Sequence, residues 1–463
     1  MSKKKMSRRD FLRLSAMTGA GAALASCAPK PEEPQQEAPA EEEVVEEPPM
    51  EEGKPIIFWA GWGGEAFDAA MAAIQETDEL KQAIGKDTFD VKSGVPVENF
   101  LTALAAGTPP DGASNVIYLD YMARDVVLPV DSFAEVSSLM QKDRFIEGSW
   151  NQAFYKGRMM GTPAFESFLR YGLNYNIRMF EAAGVDTENL PETWDEWLEV
   201  HKVLTKFDDA GNLIQIGLDP TDAMGEGMWD SDGWVVEVSY GLKWFDEEAG
   251  TFNLDSEELI ASLDDMKKFV DVIGVDNLSG MRSVEGHGTW GGSFNAEVQA
   301  MIIEGYWHPG ETAAEKPEVA PYNRATWLPV PENRRGVKPQ GTGGHLVLMF
   351  KESANPEGMF KVSEVLSTQT AVQIIYDSLG WIGPIKDFSP DISKYPGLQF
   401  YFDTIEEANE WHSPAKCPIT GFVNDNYVEL REYVLRGDMS SAEAAAELQR
   451  RADDEWIASG LGS

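Results

Sequence analysis

Short apolar runs alternate with helix-length amphipathic segments through most of this chain, and that alternation constrains the fold more than any other feature. Residues 55–60, Pro-Ile-Ile-Phe-Trp-Ala, read as a strand. Residues 61–65, Gly-Trp-Gly-Gly-Glu, form a glycine-rich turn, and Ala66 to Gln82 read as a helix. A second helix over Asn99 to Ala106 runs into the break Gly107-Thr108-Pro109-Pro110-Asp111-Gly112. Asn115 to Asp120 then reads as a buried strand ending on an aspartate. Strand and helix in alternation predict an α/β fold with a mostly parallel sheet, whose ligands gather at the carboxyl ends of the strands.

The pattern continues. Lys156 to Pro163 reads as a hairpin leading into extended chain, Phe168 to Asn176 as a strand, and Arg178 to Ala183 as a helix closed by Gly184. Thr193 and Glu196 have capping-box spacing ahead of another helix. Ser256 to Val272 is an amphipathic helix, Val298 to Ile303 a buried strand, and Glu304 to Gly310 a loop carrying two exposed rings, Tyr306 and Trp307. Gly344 to Phe350 is a strand, Pro356 to Leu366 a helix, Ser378 to Pro384 a turn, and Ser441 to Ser459 a helix.

Ahead of this body stands a different kind of sequence. Ser7-Arg8-Arg9-Asp10-Phe11-Leu12 is a twin-arginine pattern, followed by an apolar run rich in Ala and Gly that ends in the lipobox Leu24-Ala25-Ser26-Cys27. A basic start, a short apolar stretch and small residues before a cleavage point make an export signal over 1–27, with Cys27 left to carry lipid. Residues 28–53 are almost entirely Pro, Glu, Gln and Ala, which bury nothing and repel one another, so an extended acidic spacer is expected. The expected location is outside the cytoplasm, periplasmic or at the cell surface, on a lipid anchor.

The remaining 410 or so residues exceed what one core supports and suit two domains. The chain carries a formal charge of −40, little of it from the first 52 residues. Such acidity argues against nucleic acid or anionic lipid headgroups as partners and tilts the ligand toward neutral or cationic molecules. With two cysteines, one of them Cys27, no intramolecular disulfide is expected, and Cys417 reads as a small buried hydrophobe. The five histidines are scattered without zinc-site spacing, so neither a metal nor a cofactor is expected.

In order and spacing these segments resemble the extracellular solute-binding proteins of ABC importers, in the sugar-binding group typified by maltose-binding protein. The resemblance is carried by Phe58 to Gly64, by Leu101 to Gly107 with Pro110-Asp111, and by Gly161-Thr162-Pro163 through Asn176. It continues through Phe180 to Val185 with Pro191 to Glu196, through Ala300 to Trp307, and through Trp327 to Pro331, Gly341 to Gly344 and Gly380 to Pro384. It implies a two-lobed α/β fold with an interlobe ligand cleft and a hinge of three crossovers, near Pro163–Glu166, Ile303–Gly305 and His345–Met349. The implied lobes are 54–163 plus 304–345, and 164–303 plus 346–463. It also implies a non-catalytic monomer that hands its ligand to the transmembrane subunits of a permease.

A sugar ring has an apolar C–H face and a polar rim, which aromatic faces with a few carboxylates suit. The expected contacts are Trp62 and Glu65 in the first loop, Asp120, Glu166 beside the first crossing, Trp229, Trp307 with His308, and Trp381. Asp120 serves equally as a helix cap, and Trp307 and Trp381 equally as packing. Trp194, Trp197, Trp234 and Trp244 read as packing. Glu65, Asp120 and Glu166 also suit a cationic ligand such as a polyamine. A secreted glycoside hydrolase would share the aromatics and paired carboxylates, which in so acidic a chain discriminate little.

Overall fold

The computed structural model describes residues 53–167, 169–222, 234–281 and 292–461. Cys27, the acidic spacer and Trp229 lie outside the described residues. Residues Glu52–Ser463 form one compact unit.

Strands that build the sheets are, in chain order, β1 (Pro55–Ala60), β2 (Thr88–Lys92), β3 (Gly112–Ser114), β4 (Gly161–Ala164), β5 (Leu173–Asn176), β6 (Lys206–Phe207), β7 (Leu213–Leu218), β8 (Gln299–Ile303), β9 (Asn323–Thr326), β10 (Pro339–Gly341), β11 (His345–Met349) and β12 (Glu410–His412). The helices needed below are α1 (Glu65–Gln75), α2 (Tyr118–Ala123), α3 (Glu147–Gln152), α4 (Trp194–Leu204), α5 (Glu257–Ile273), α6 (His308–Glu315), α7 (Pro356–Leu366), α8 (Gln369–Leu379), α9 (Leu398–Glu407), α10 (Thr420–Arg436) and α11 (Ser441–Ala458).

Two five-stranded sheets organise the body, in the orders β2-β1-β3-β11-β4 and β9-β5-β8-β7-β6, while β10 and β12 pair separately. Each sheet has its own core. The first buries Phe58, Phe67, Tyr121, Phe350 and Ile375; the second buries Trp194, Trp197, Phe269, Met301 and Tyr427. Trp234 and Trp244 stack in the second core with ring centroids 5.4 Å apart, so all four tryptophans read as packing are buried. Cys417 is fully buried there too, and burial pushes its thiol up to about 12.

Both sheets are mixed rather than mostly parallel. β1 runs parallel to β2 and β3, but β11 is antiparallel to β3 and β4. In the second sheet β8 is parallel to β7 and antiparallel to β5. A strand returning from the other sheet, as β11 does, has no crossover helix to reverse it, so nothing imposes the parallel sense of a βαβ unit.

The expected division of the chain is corrected at two places. β9 pairs with β5 in the second sheet although it falls within 304–345, and β11, α7 and α8 belong with the first sheet and core although they fall within 346–463. The passages between bodies are therefore residues 165–172, residues 327–344, and the stretch from α8 to α10. Near Ile303–Gly305 the chain turns out to α6, which packs on α8, and comes back to the second sheet as β9.

Local corrections have local causes. Asn115 to Asp120 is not a strand: pairing with β1 ends at Ser114, Asn115 takes a left-handed φ of 52°, and Tyr118 opens α2. A short, continuously apolar run is ambiguous between buried strand and buried helix, and α2 buries Tyr118, Leu119, Tyr121 and Met122. The loop read over Glu304 to Gly310 becomes α6 from His308 onward, with Pro309 at a helix N-terminal position that tolerates its missing N–H. Phe168 lies outside the described residues, and the strand there is shortened to β5. The capping box at Thr193 and Glu196 is present, and a second one, Ser440 with Glu443, opens α11.

Candidate functional site

The first passage between the bodies is held in an uncommon backbone conformation. Phe165 and Leu169 both have left-handed φ values, 64° and 70°, which for bulky residues persist only where surrounding contacts over-determine them. The N–H of Glu166 bonds to the carbonyl of Ala164 at 2.9 Å, and that of Leu169 to Gly341 at 3.1 Å. The result turns the Glu166 side chain inward, where it is 3 % exposed.

Glu166 is the centre of a buried polar network. Oε1 accepts from Nη1 of Arg170 at 2.7 Å and lies 2.9 Å from Nε2 of His345. The hydroxyl of Tyr306 lies 3.0 Å from Oε2, and it accepts from the backbone N–H groups of Ser167 and Ile382. On its far side, Nδ1 of His345 lies 2.7 Å from the hydroxyl of Tyr118 on α2. Burial pushes the Glu166 carboxyl up, but Arg170 and His345 together outweigh it and hold the group down at about 2. The network joins five stretches: the first passage, the turn after β8, the start of β11, α2, and the chain after α8.

Aromatic rings cover this network. The half-buried Trp62 ring sits 4.5 Å from His345, 4.9 Å from Trp381 and 5.1 Å from Phe165, centroid to centroid. Trp381 is buried and donates from Nε1 to Oε1 of Glu311 at 2.8 Å. Trp307 is half-buried, donates from Nε1 to Oε2 of Glu304 at 2.7 Å, and carries the Arg170 guanidinium 4.8 Å from its ring centroid. Burial raises Glu311 to about 8, with Glu166 and Glu315 adding to the rise against the Trp381 hydrogen bond.

Of the residues predicted from sequence, Trp62, Glu166, Trp307 and Trp381 thus come together at the boundary between the two bodies. Three others stand apart from that cluster. Glu65 is exposed as the first residue of α1, not a loop residue. Asp120 lies in the first turn of α2 rather than at a strand end, and pairs with Arg124 four residues on at 2.8 Å. His308 is fully buried at the start of α6, edge-on to Phe294 at 4.9 Å, with no hydrogen-bond partner for either ring nitrogen among the described residues. Burial lowers its pKa to about 3. Sequence reasoning missed Arg170, Tyr118, Tyr306 and Glu311. Arg170 had a visible signal, its spacing of four from Glu166; the others meet the site only through the fold.

Two α/β bodies, each with its own sheet and core, joined by repeated passages of the chain and meeting at a polar, aromatic-lined boundary, define a two-lobed binding-protein fold. No candidate cluster of metal ligands occurs among the described residues. The sequence profile of bacterial extracellular solute-binding proteins matches residues 86–373, and the chain belongs to that family. Members of the family capture solutes and do not turn them over. Residues 5–25 match the twin-arginine translocation signal, so the protein is exported. No curated protein matches the sequence significantly.

Solved structures share the fold at low identity. CpMnBP1 with mannotriose bound is 19% identical with a TM-score of 0.72, covering 86% of this chain and 100% of its own. A solute-binding protein from Thermotoga lettingae bound with α-D-tagatose is 18% identical with a TM-score of 0.71, covering 86% and 100%. The maltose/maltodextrin-binding domain MalE of Bdellovibrio bacteriovorus bound to maltotriose is 16% identical with a TM-score of 0.67, covering 87% and 99%.

Proposed function

We propose that this protein captures a mono- or oligosaccharide between its two lobes and delivers it to the transmembrane subunits of an ABC permease. The observation that carries the reading is the half-buried Trp62 ring at the lobe boundary, packed against His345 at the start of β11 and Trp381 in the chain after α8. A ring held rigidly by such neighbours offers a flat apolar face for a sugar's C–H surface at little entropic cost. Trp307, packed against the cores of both bodies, offers a second face. Glu166, whose oxygens are already committed to Arg170, His345 and Tyr306, holds these pieces in place beneath the rings. Closure of the lobes on a ligand that touches both follows from its differential affinity for the closed state. Lipid on Cys27, with the acidic spacer behind it, would keep the receptor beside its permease.

A thermal-shift screen of the full chain tests this, with mannotriose, maltotriose, tagatose, polyols, amino acids and spermidine. Binding to the native state raises the apparent melting temperature by mass action. A rise with one sugar class is expected. A rise with spermidine alone would overturn the reading in favour of a cationic ligand, and released glycan product from a polymer would overturn it in favour of hydrolysis.

A further inference from the structure

A cavity of about 90 Å³ lies between the bodies, next to the network at Glu166 and sharing Tyr118 with it. Tyr118 and Met122 of α2 and Gln152 of α3 wall it from the first body, Thr342 and Gly343 from the second passage, and Lys416 from the chain leading into α10. At ~15 Å³ per water by this kind of measure, it has room for several waters, and so for a hydroxymethyl arm or part of a sugar ring.

Two polar groups in its wall stand out. Oε1 of Gln152 is buried and has no hydrogen-bond partner among the described residues, a condition that costs free energy unless something fills it. Lys416 spans the two bodies. Its backbone N–H donates to Oε1 of Glu247 at 2.9 Å, while Nζ donates to the carbonyls of Asn151 at 3.0 Å and Phe154 at 2.8 Å. An ammonium has three N–H donors, so among the described residues one remains beyond these two carbonyls.

Glycine lets the wall segments approach one another closely. Gly343 has a φ of 148°, a conformation that side chains rarely adopt, and a Cβ there would approach Oε1 of Gln152 to 3.0 Å. A Cβ at Gly148, on the same wall, would lie 1.8 Å from Oγ1 of Thr342.

We propose that this cavity is a hydroxyl-reading subsite, in which Gln152 Oε1 accepts from a ligand hydroxyl and Lys416 donates to a ligand oxygen. It rests on the sugar-binding reading and adds to it the residues that set specificity. An acceptor beside a cation suits a neutral polyhydroxylated ligand, whose hydroxyl both donates and accepts. A polyamine ammonium, which only donates, meets repulsion from Lys416.

The experiment titrates mannotriose, maltotriose and tagatose, with spermidine as the cationic probe, into the full chain and its Gln152→Leu variant by calorimetry. Whichever sugar binds the parent protein is expected to bind the variant roughly tenfold more weakly, the effect of one hydrogen bond lost to a buried acceptor. The unliganded melting temperature should not fall, because among the described residues Oε1 of Gln152 has no partner to lose and its unpaired burial is relieved. Equal sugar affinity in both proteins overturns the subsite and leaves the sugar receptor standing. Binding of spermidine alone to the parent overturns both. Should Gln152→Leu not fold, Gln152→Asn, which withdraws the amide by one methylene, carries the same test.

Discussion

Nη1 of Arg170 lies 2.7 Å from Oε1 of Glu166, and both side chains are almost completely buried where the chain first passes between the two bodies. Taking two charges out of water is costly, and the pair persists because His345 and Tyr306 supply the remaining partners. Removing one member leaves the other charge buried and unpaired. Glu166→Gln is therefore expected to destabilise the fold by about 3–5 kcal/mol in chemical denaturation. The pH dependence has a definite sign. Glu166 is held near 2 in the fold against an ordinary value of 4.5, so its stabilisation is present above pH 4.5 and is lost as pH falls from 4.5 toward 2. An unchanged denaturation midpoint in Glu166→Gln at pH 7 would sink this assignment.

Glu311 carries the opposite sign. Burial raises its carboxyl to about 8, so it is protonated in the fold at neutral pH while accepting from Trp381. The fold binds this proton more tightly than the unfolded chain does. Its favourable contribution is complete below pH 4.5 and is lost as pH rises from 4.5 to 8. Glu311→Gln keeps the shape and the acceptor without the titration. Melting temperatures measured from pH 5 to 8.5 should fall less with rising pH in the variant than in the parent.

His308 predicts an acid effect. Enclosed beside Phe294 and held at about 3, it must stay neutral in the fold but charges freely in the unfolded chain. Stability is thus present above pH 6.5 and lost as pH falls from 6.5 toward 3. His201 adds to this, being lowered by burial to about 4. Because neither ring nitrogen of His308 has a partner among the described residues, His308→Leu should cost little at pH 7 and should flatten the acid limb of the stability profile. A loss of more than about 2 kcal/mol at pH 7 would show that the ring makes a contact of consequence.

Trp62 is tied to both binding and stability. Its ring packs against Phe67, Phe165, His345 and Trp381, so Trp62→Ala removes aromatic contacts as well as a face for ligand. A half-buried ring of this size should cost about 2 kcal/mol on truncation, below the 3–5 of a fully buried tryptophan. Sugar affinity should fall together with stability, whereas Trp62→Phe should recover most of the stability and only part of the affinity. Calorimetric titration beside thermal melting separates the two.

Helix caps, turns and cores were legible in the chain because their causes are local. Thr193 with Glu196 and Gly184 after its helix act within four residues, and Trp194 and Trp197 lie three apart on one face of α4. Trp62 could be singled out because an aromatic among glycines lacks local packing neighbours. What pairs with what was not legible. Whether β9 joins β5, or β11 joins β4, depends on partners more than 140 residues apart in sequence, and an apolar run has the same composition in either sheet.

The sequence by itself determined an exported α/β chain, the capped start of α4, and four of the tryptophans that fill the second core, since each follows from nearest-neighbour sterics, capping and composition. Tertiary structure alone decided that Glu166 is a buried ion-pair centre, that His308 is enclosed rather than displayed, and that Gln152 and Lys416 share a cavity between the lobes. Those facts rest on contacts between distant segments, whose burial sets the charge state and exposure of each group, and no local pattern encodes them.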